Sequence, residues 1–382
     1  MNKLIVHLGT PKTGTTAIQF FLHDNAKRLM ELNYDFPDVK EVFTEDRGFF
    51  NIDNNESSYA NGNFIIDTLA LSAYKEGRES FEELLKHVFP DIAEYYRTVI
   101  PDNKTDFDMF IAYIKERLSK HNVIISSENL WTFSYDFLKK LKAEIEEEIE
   151  VVVYLRRQDK YVESMWNEVI KLGVVSDTVQ EYFDYMIYDE ADNHGIHYGR
   201  RLKQLIGIVG RENVKVRLYE KESFSKNGGL CFDFLDAIGI NDDRENWSER
   251  KIDPNGRIAG STVNLKRIFN EYLSKRVDND KDIILNKRLD HVREYNEIFY
   301  RLSSVYSKKN RPADAYFSAK ERLRLEKLFS ADNEYIAKEF FGRETGEALF
   351  ANDNWSAERN VEPLSINEEA ILRLLFEMCY DK

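Results

Sequence analysis

Residues 4–16 read LIVHLGTPKTGTT, and this stretch decides the fold. Its first five residues are an apolar run of the kind that forms a buried strand. A loop with glycines at positions 9 and 14 follows directly, and the apolar residues after position 16 have helical spacing. A strand, a glycine loop and a helix in this order predict a phosphate-binding turn at the carboxyl end of a strand in a parallel sheet.

The lysine of this loop does not occupy the position that an ATP-hydrolysing loop requires. In that loop lysine follows the second glycine, whereas here Thr15 follows Gly14 and Lys12 lies inside the turn. No apolar run ends in an aspartate that could hold magnesium. An ammonium inside the turn could instead reach the oxygen that bridges a 5′-phosphate and a group being transferred. There it would stabilise the charge that develops as the bond breaks.

The composition indicates a folded and strongly acidic protein. A chain of 382 residues is long enough for one large α/β domain with additions, and 42% hydrophobic residues exclude the disordered classes. The 54 basic and 68 acidic residues give a net charge of −14, which disfavours nucleic acid and polyanionic partners at long range. An anionic ligand must therefore bind at a local basic site.

The cysteines and the apolar runs indicate the compartment. Cys231 and Cys379 lie far apart in sequence, which is typical of reduced thiols. No apolar run reaches the roughly 18 residues of a transmembrane helix, and the N-terminal run is too short for a signal peptide. We therefore expect a cytoplasmic protein without a transmembrane segment. The sequence gives no indication of the oligomeric state.

Three more apolar runs predict parallel strands, at residues 123–125, 151–155 and 214–218. Polar or charged residues follow each run. Ligands of open parallel sheets bind beyond the carboxyl ends of the strands, so these groups are expected to converge. Residues 1–243 are thus expected to form an α/β core.

Two helical additions to this core are expected. Residues 30–120 have no clear strand and predict a mostly helical insertion, and residues 244–382 predict a helical C-terminal extension packed on the core. Aromatic side chains there suit either ring stacking or an ordinary core: Phe49, Phe50, Tyr95, Tyr96 and Trp131. The acidic run 144–150 is interpreted as a solvated helix face.

The hexapeptide Pro11-Lys12-Thr13-Gly14-Thr15-Thr16 resembles the 5′-phosphosulfate loop of sulfotransferases. The resemblance implies a three-layer core like that of P-loop NTPases and a donor, 3′-phosphoadenosine 5′-phosphosulfate (PAPS). It also implies that Lys12 acts on the leaving group, that Thr15 and Thr16 hold the 5′-phosphate, and that the product is adenosine 3′,5′-bisphosphate (PAP).

A second motif is found at residues 155–164, LRRQDKYVES. It is similar to the family's arginine at a strand end followed eight residues later by a serine. Arg156 and Ser164 fit this spacing and Arg157 does not, which implies that Arg156 and Ser164 bind the 3′-phosphate. Arginine suits this task because its planar fork can bind phosphate through two hydrogen bonds. The pattern leaves Ser164 facing either water or nucleotide.

Transfer to an alcohol requires a general base near the acceptor hydroxyl. Glu128 is the candidate, because carbohydrate and tyrosyl-protein members of the wider family use a glutamate in a similar place after the second strand. Helix capping or pairing with a lysine is an equal alternative for this side chain. His7 is the rival base, although its strand position favours packing in the sheet.

Weaker matches complete the resemblance. Residues 214–220 resemble the family's strand whose tyrosine lies against adenosine, which implies that role for Tyr219. Ala17 replaces the tryptophan with which many members stack on adenine, and Arg257 is a speculative substitute for a missing Arg-Lys-Gly segment. His194 and His197 lack the cysteine or carboxylate pattern of a metal site, so no metal is expected.

These patterns predict a PAPS-dependent sulfotransferase that acts on a small molecule or carbohydrate, with a hydroxyl of a sugar or glycolipid as the acceptor. A nucleotide kinase with a degenerate loop and a non-catalytic adenosine-nucleotide-binding module remain as alternatives.

Overall fold

The computed structural model describes residues 2–38, 61, 103–132, 135–171, 173, 175–188, 194–225, 228–250, 258, 260–277, 296, 298–303, 314–351, 359–360, 369 and 372. Most of the predicted insertion lies outside the described residues. The same is true of Phe49, Phe50, Tyr95, Tyr96 and Arg257.

Five parallel strands form the central sheet. They are β1 (Lys3–Leu8), β2 (Tyr34–Asp35), β3 (Asn122–Ser127), β4 (Glu148–Leu155) and β5 (Val214–Leu218). Their order across the sheet is β2-β3-β1-β4-β5. The four predicted strands are confirmed, and β1, β3 and β4 are longer than predicted. The edge strand β2 corrects the expectation that residues 30–120 contain no strand, since two residues are too few to show a period.

Residues 298–303 are helical. Eleven further helices in the described part of the chain have defined bounds. They are α1 (Thr15–Asp24), α2 (Ala26–Glu31), α3 (Asn103–Leu118), α4 (Asp136–Glu144), α5 (Gln158–Lys171), α6 (Val179–Tyr188), α7 (Tyr198–Val209), α8 (Lys221–Ser225), α9 (Leu230–Ala237), α10 (Thr262–Val277) and α11 (Ala319–Phe341). Single 3₁₀ turns span Asn129–Trp131 and Arg244–Asn246. A short parallel pair joins β6 (Asp314–Ala315) and β7 (Arg359–Asn360).

Helices cover both faces of the sheet. Successive strand residues point to opposite faces, so Val6 and Val153 pack with residues of α3, α4 and α7 on one side. On the other side Ile5 and Val152 pack with residues of α1 and α9. The predicted three-layer α/β architecture is therefore confirmed.

The acidic run 144–150 is not the solvated helix face that its charge predicts. α4 ends at Glu144, and β4 begins at Glu148. Glu150 is only 7% exposed, and its carboxylate lies 3.0 Å from the Lys3 ammonium on β1. Glu144, Glu146 and Glu148 are exposed as expected, so the prediction is wrong in the helix assignment beyond residue 144 and in the burial of Glu150. Glu150 can be buried because a lysine on the neighbouring strand compensates its charge, a pairing that the local sequence does not reveal.

The chain groups into two compact units. The first comprises Met1–Arg156, Ala191–Ile252 and Ala331–Phe350, and it includes all five strands of the sheet. The second comprises Arg157–Glu190, Asp253–Ser330 and Ala351–Lys382. Residues 157–190 belong to the second unit because α5 packs against α10, with Asn270 donating a 2.8 Å hydrogen bond to the carbonyl of Ile170. The division at residue 243 into a core and an extension remains a prediction.

Buried charges join α5 and α11 within the second unit. Arg322 donates to the carboxylates of Asp159 and Glu163, at 2.5 and 2.9 Å. Arg322 is 3% exposed, and the two carboxylate residues are 5% and 1% exposed. Arg157 also donates to Asp159, at 2.6 and 2.7 Å, so the second arginine of the Arg-Arg pair has a structural partner.

Replacing Arg322 with Met should destabilise the protein strongly, because it removes the shared cation from two buried carboxylates. We expect a loss of about 3–5 kcal/mol in the free energy of unfolding, measured by urea denaturation. Arg324→Met, at an exposed position of the same helix, is the matched control and should change it by less than about 1 kcal/mol. If the free energy of unfolding falls in Arg322→Met by no more than the small change in the control, the buried charges are not important for stability.

Candidate functional site

The glycine loop begins at the centre of the sheet. β1 lies between β3 and β4, and the amide of Gly9 donates a 2.9 Å hydrogen bond to the Ser127 carbonyl at the end of β3. A Cβ on Gly9 would lie 2.5 Å from the Thr15 side chain and 3.0 Å from Cα of Glu128. Glycine is needed here because the loop, the start of α1 and the residue after β3 approach one another closely.

Two residues of the loop have left-handed backbone conformations, Lys12 with φ 64° and Gly14 with φ 78°. Glycine adopts this conformation without strain, but a lysine there costs roughly 1–2 kcal/mol. Thr13 stabilises the turn, since its hydroxyl and its amide both donate to the Thr10 carbonyl, at 2.5 and 3.3 Å. Strain that is held by local hydrogen bonds is typical of a functional loop.

The loop presents hydrogen-bond donors at the start of α1. Gly14 is the N-cap of this helix, and the first-turn amides of a helix have no acceptor inside it. Thr15 is 2% exposed, and its hydroxyl has no hydrogen-bond partner among the described residues. The hydroxyl of Thr10 is in the same situation, whereas Thr16 is exposed. Orphaned donors at the positive end of a helix fit an oxyanion.

Glu128 and Arg156 both bind the backbone of Lys12. The Lys12 amide donates to Oε1 of Glu128 at 3.1 Å, and Nη1 of Arg156 donates to the Lys12 carbonyl at 2.8 Å. All three side chains are half-buried. The predicted base and the predicted phosphate-binding arginine therefore both contact the backbone of the loop lysine.

Tyr219 completes this group. The Arg156 guanidinium carbon lies 5.5 Å from the centroid of the Tyr219 ring, within the range of a cation–π contact. A Cβ on Gly14 would lie 3.3 Å from the same ring and 2.4 Å from the Leu230 side chain. The residues predicted at 11–16, 128, 156 and 219 are thus brought together by the ends of β1, β3, β4 and β5.

Ser164 and Trp131 have different outcomes. Ser164 is half-buried on α5, which belongs to the second unit, and its joint role with Arg156 at one phosphate remains a prediction. Trp131 has no exposed surface and packs in the core of the first unit, with Nε1 donating to the Gly195 carbonyl at 2.9 Å. The possible role of Trp131 in ring stacking on an acceptor is wrong, because the buried ring has no surface left for a ligand.

His7 is enclosed in the sheet, as its strand position favours. It has no exposed surface, its Nδ1 lies 2.8 Å from the Ser126 hydroxyl, and its ring centroid lies 5.0 Å from that of Phe234. Burial lowers the pKa of His7 to about 3. The imidazole is therefore neutral at pH 7 and packed among side chains rather than placed to take a proton from an acceptor.

Two residues at the site were not singled out by the sequence. Tyr198 donates through its hydroxyl to the carbonyl of Arg156 at 2.7 Å. Arg201 donates to the carbonyls of Trp131 and Thr132, at 2.7 and 3.0 Å. Their spacing of three places them on one face of α7, but nothing local in the sequence indicates which carbonyls they bind.

The described residues form neither a candidate metal cluster nor a candidate membrane span. They contain no group of three or more His, Cys, Asp or Glu side chains that could hold a metal ion. None of the helices in the described part of the chain combines the length and the apolar composition needed to cross a membrane.

Comparison with known proteins gives partial similarities. No protein-family model matches the sequence. An uncharacterized protein of Archaeoglobus fulgidus is 26% identical over 224 residues, 58% of this chain and 54% of that protein, so the match spans about half the length of this relative. A sulfotransferase from Alicyclobacillus acidocaldarius has a TM-score of 0.36 and 16% identity, with 66% of this chain and 87% of that chain covered. The sulfotransferase domain of the Synechococcus olefin synthase has a TM-score of 0.34 and 12% identity, with 86% and 94% covered.

Replacing His7 with Asn should weaken the pH dependence of stability. Between pH 6.5 and 3 the unfolded chain binds a proton at His7 that the folded chain does not, so His7 makes the protein less stable as the pH falls. From pH 7 to 5 this contribution is about 2 kcal/mol. Urea denaturation at both pH values should show a smaller difference for the variant. An unchanged difference would mean that His7 can be protonated in the folded protein.

Proposed function

We propose that this protein is a sulfotransferase that moves a sulfuryl group from PAPS to an acceptor hydroxyl. The proposal is carried by the arrangement around Lys12, whose amide binds Glu128 and whose carbonyl binds Arg156 at the end of β1. A lysine inside a phosphate-type loop, with a carboxylate and an arginine beside it, suits group transfer from a phosphate better than phosphate-bond hydrolysis by a Walker lysine.

The described residues fit the donor. The amides at the start of α1 and the hydroxyls of Thr15 and Thr16 would hold the 5′-phosphate, within the turn formed by Pro11, Thr13 and Gly14. The buried Thr15 hydroxyl, which has no hydrogen-bond partner in the described part of the chain, supports this assignment, since an acceptor oxygen would satisfy it. Arg156 would bind the 3′-phosphate, and Tyr219 would lie against the adenosine. The role of Ser164 in phosphate binding rests on the sequence motif alone. When bound, PAPS supplies an activated sulfuryl group on the 5′-phosphate.

Lys12 and Glu128 would divide the chemistry. The two backbone hydrogen bonds of Lys12 fix the point from which its side chain extends, so the ammonium can be held near the leaving phosphate oxygen. Glu128 would accept the proton of the acceptor hydroxyl as the new O–S bond forms and the S–O bond to the phosphate breaks. No metal ion takes part in this scheme.

The acceptor is proposed to be a carbohydrate or another small molecule with a free hydroxyl. The net charge of −14 disfavours a polyanionic acceptor at long range. We also propose a cytoplasmic location, because the sequence has only two cysteines.

PAP should raise the melting temperature more than ATP or 5′-AMP, because only PAP carries both the 5′-phosphate and the 3′-phosphate. Arg156→Ala should reduce this shift, and Arg156→Lys should restore part of it, since lysine keeps the charge but loses the planar fork. Differential scanning fluorimetry measures all three nucleotides on all three proteins. Equal shifts with PAP, ATP and 5′-AMP would contradict the proposal, and magnesium-dependent ATP turnover would favour a kinase.

Lys12→Ala and Glu128→Gln should both abolish most of the transfer while retaining most of the PAP binding. Lys12→Ala removes the ammonium that stabilises the leaving group and should lower kcat by on the order of 10² or more. Glu128→Gln keeps a side-chain oxygen that can accept the hydrogen bond from the Lys12 amide, but the glutamine side chain cannot act as a base. Transfer of labelled sulfuryl from PAPS to a panel of sugars and glycolipids gives kcat, and calorimetry gives the PAP affinity. PAP binding without transfer in the wild type would indicate a non-catalytic nucleotide-binding module.

A further inference from the structure

The first turn of α7 contacts two separate segments of the site. Tyr198, its first residue, donates to the Arg156 carbonyl at the end of β4. Arg201, three residues later, donates to the carbonyls of Trp131 and Thr132, which follow Glu128 by three and four residues. One helical turn is therefore attached both to the segment of the proposed base and to the segment of the proposed phosphate-binding arginine.

The side chains that make these contacts are buried, and the contacts of Arg201 are charge-assisted. Tyr198 has no exposed surface and Arg201 is 5% exposed. A buried guanidinium is unfavourable unless it finds hydrogen-bond acceptors, and the two carbonyls accept from Nη1 and Nη2. The guanidinium carbon of Arg201 also lies 5.6 Å from the centroid of the Tyr135 ring. Arg201 in turn satisfies carbonyls at the end of the 3₁₀ turn Asn129–Trp131, where intrahelical donors run out.

The residues just before α7 add a further attachment. The indole of Trp131 donates to the carbonyl of Gly195. Gly195 has a left-handed backbone conformation, with φ 63°. A Cβ on Gly195 would lie 2.4 Å from Nε1 of Trp131, so the indole fits closely against this backbone. The segment after Glu128 is thus held on two sides by residues 195–201.

The contacts form a closed ring. Glu128 and Arg156 meet at the backbone of Lys12, and on their far sides the same turn of α7 holds the chain that carries each of them. We propose that Tyr198 and Arg201 are positioning residues that set the distance between the general base and the phosphate-binding arginine. This inference rests on the proposed function, because it assigns a catalytic consequence to the ring.

The two residues should affect different steps. Arg201 holds the segment after Glu128, so its loss displaces the base from the acceptor. Tyr198 holds the carbonyl of Arg156, so its loss displaces the guanidinium from the nucleotide. A displacement of about 1 Å at a reacting group is enough to lower a rate by about 10².

The test compares Arg201→Lys and Tyr198→Phe with the wild-type protein. Arg201→Lys keeps the charge but cannot bind two carbonyls with one planar group. It should lower kcat at least about tenfold and leave the Kd for PAP within about twofold. Tyr198→Phe removes only the hydroxyl and should raise the Kd for PAP at least about threefold, with a smaller effect on kcat. Arg200→Lys and Tyr188→Phe, both at exposed positions, are the matched controls and should leave both quantities unchanged.

The outcomes separate the positioning role from general stability and from the proposed function. If each variant lowers kcat and PAP affinity together, in proportion to its loss of melting temperature, the residues are only structural and the inference is overturned. Unchanged kcat in Arg201→Lys would also overturn it. Should Arg201→Lys fail to fold, Arg201→Gln and the Tyr198→Phe kinetics provide the same comparison. If the wild type neither binds PAP nor transfers sulfuryl, the proposed function fails, and the catalytic role of the ring fails with it.

Discussion

The candidate site depends on the backbone of one residue. Lys12 has a left-handed conformation, its amide is bound by Glu128 and its carbonyl is bound by Arg156. The two hydrogen bonds could not both form if β1 were an edge strand, because the two partners follow the strands on either side of it. The central position of β1 and the strained turn after it therefore belong to one arrangement, in which the sheet supplies the partners that hold the strain.

Burial separates the polar groups of this sheet into different roles. His7 lies in β1 and Glu128 follows the adjacent strand β3. His7 is nevertheless enclosed and neutral, whereas Glu128 is half-buried beside the loop. Burial without a compensating charge lowers the pKa of an imidazole, which makes His7 a packing residue. The hydroxyls of Thr10 and Thr15 are also buried and have no hydrogen-bond partner among the described residues, an arrangement that would suit an oxyanion bound in the loop.

Charge is used differently in the second unit. Asp159, Glu163 and Arg322 are buried together and bind one another, so they contribute to the packing of α5 and α11. Arg157 belongs to this network even though it follows Arg156 directly in sequence. Adjacent arginines thus have unrelated partners, so the number of positive charges in this motif does not indicate which arginine contacts the loop.

The sequence by itself determined the three-layer core, four of the five strands and the loop residues 11–16, because these depend on local apolar runs and on glycines at fixed spacing. It also indicated Glu128, Arg156 and Tyr219, because parallel strands bring the residues at their carboxyl ends to one edge. Only the tertiary structure decided that Glu128 and Arg156 bind the same residue, that Trp131 and His7 are enclosed, and that Glu150 pairs with Lys3. It also revealed Tyr198 and Arg201, whose role depends on backbone carbonyls that every residue carries. Such contacts join residues tens of positions apart, and no local periodicity records which of them meet.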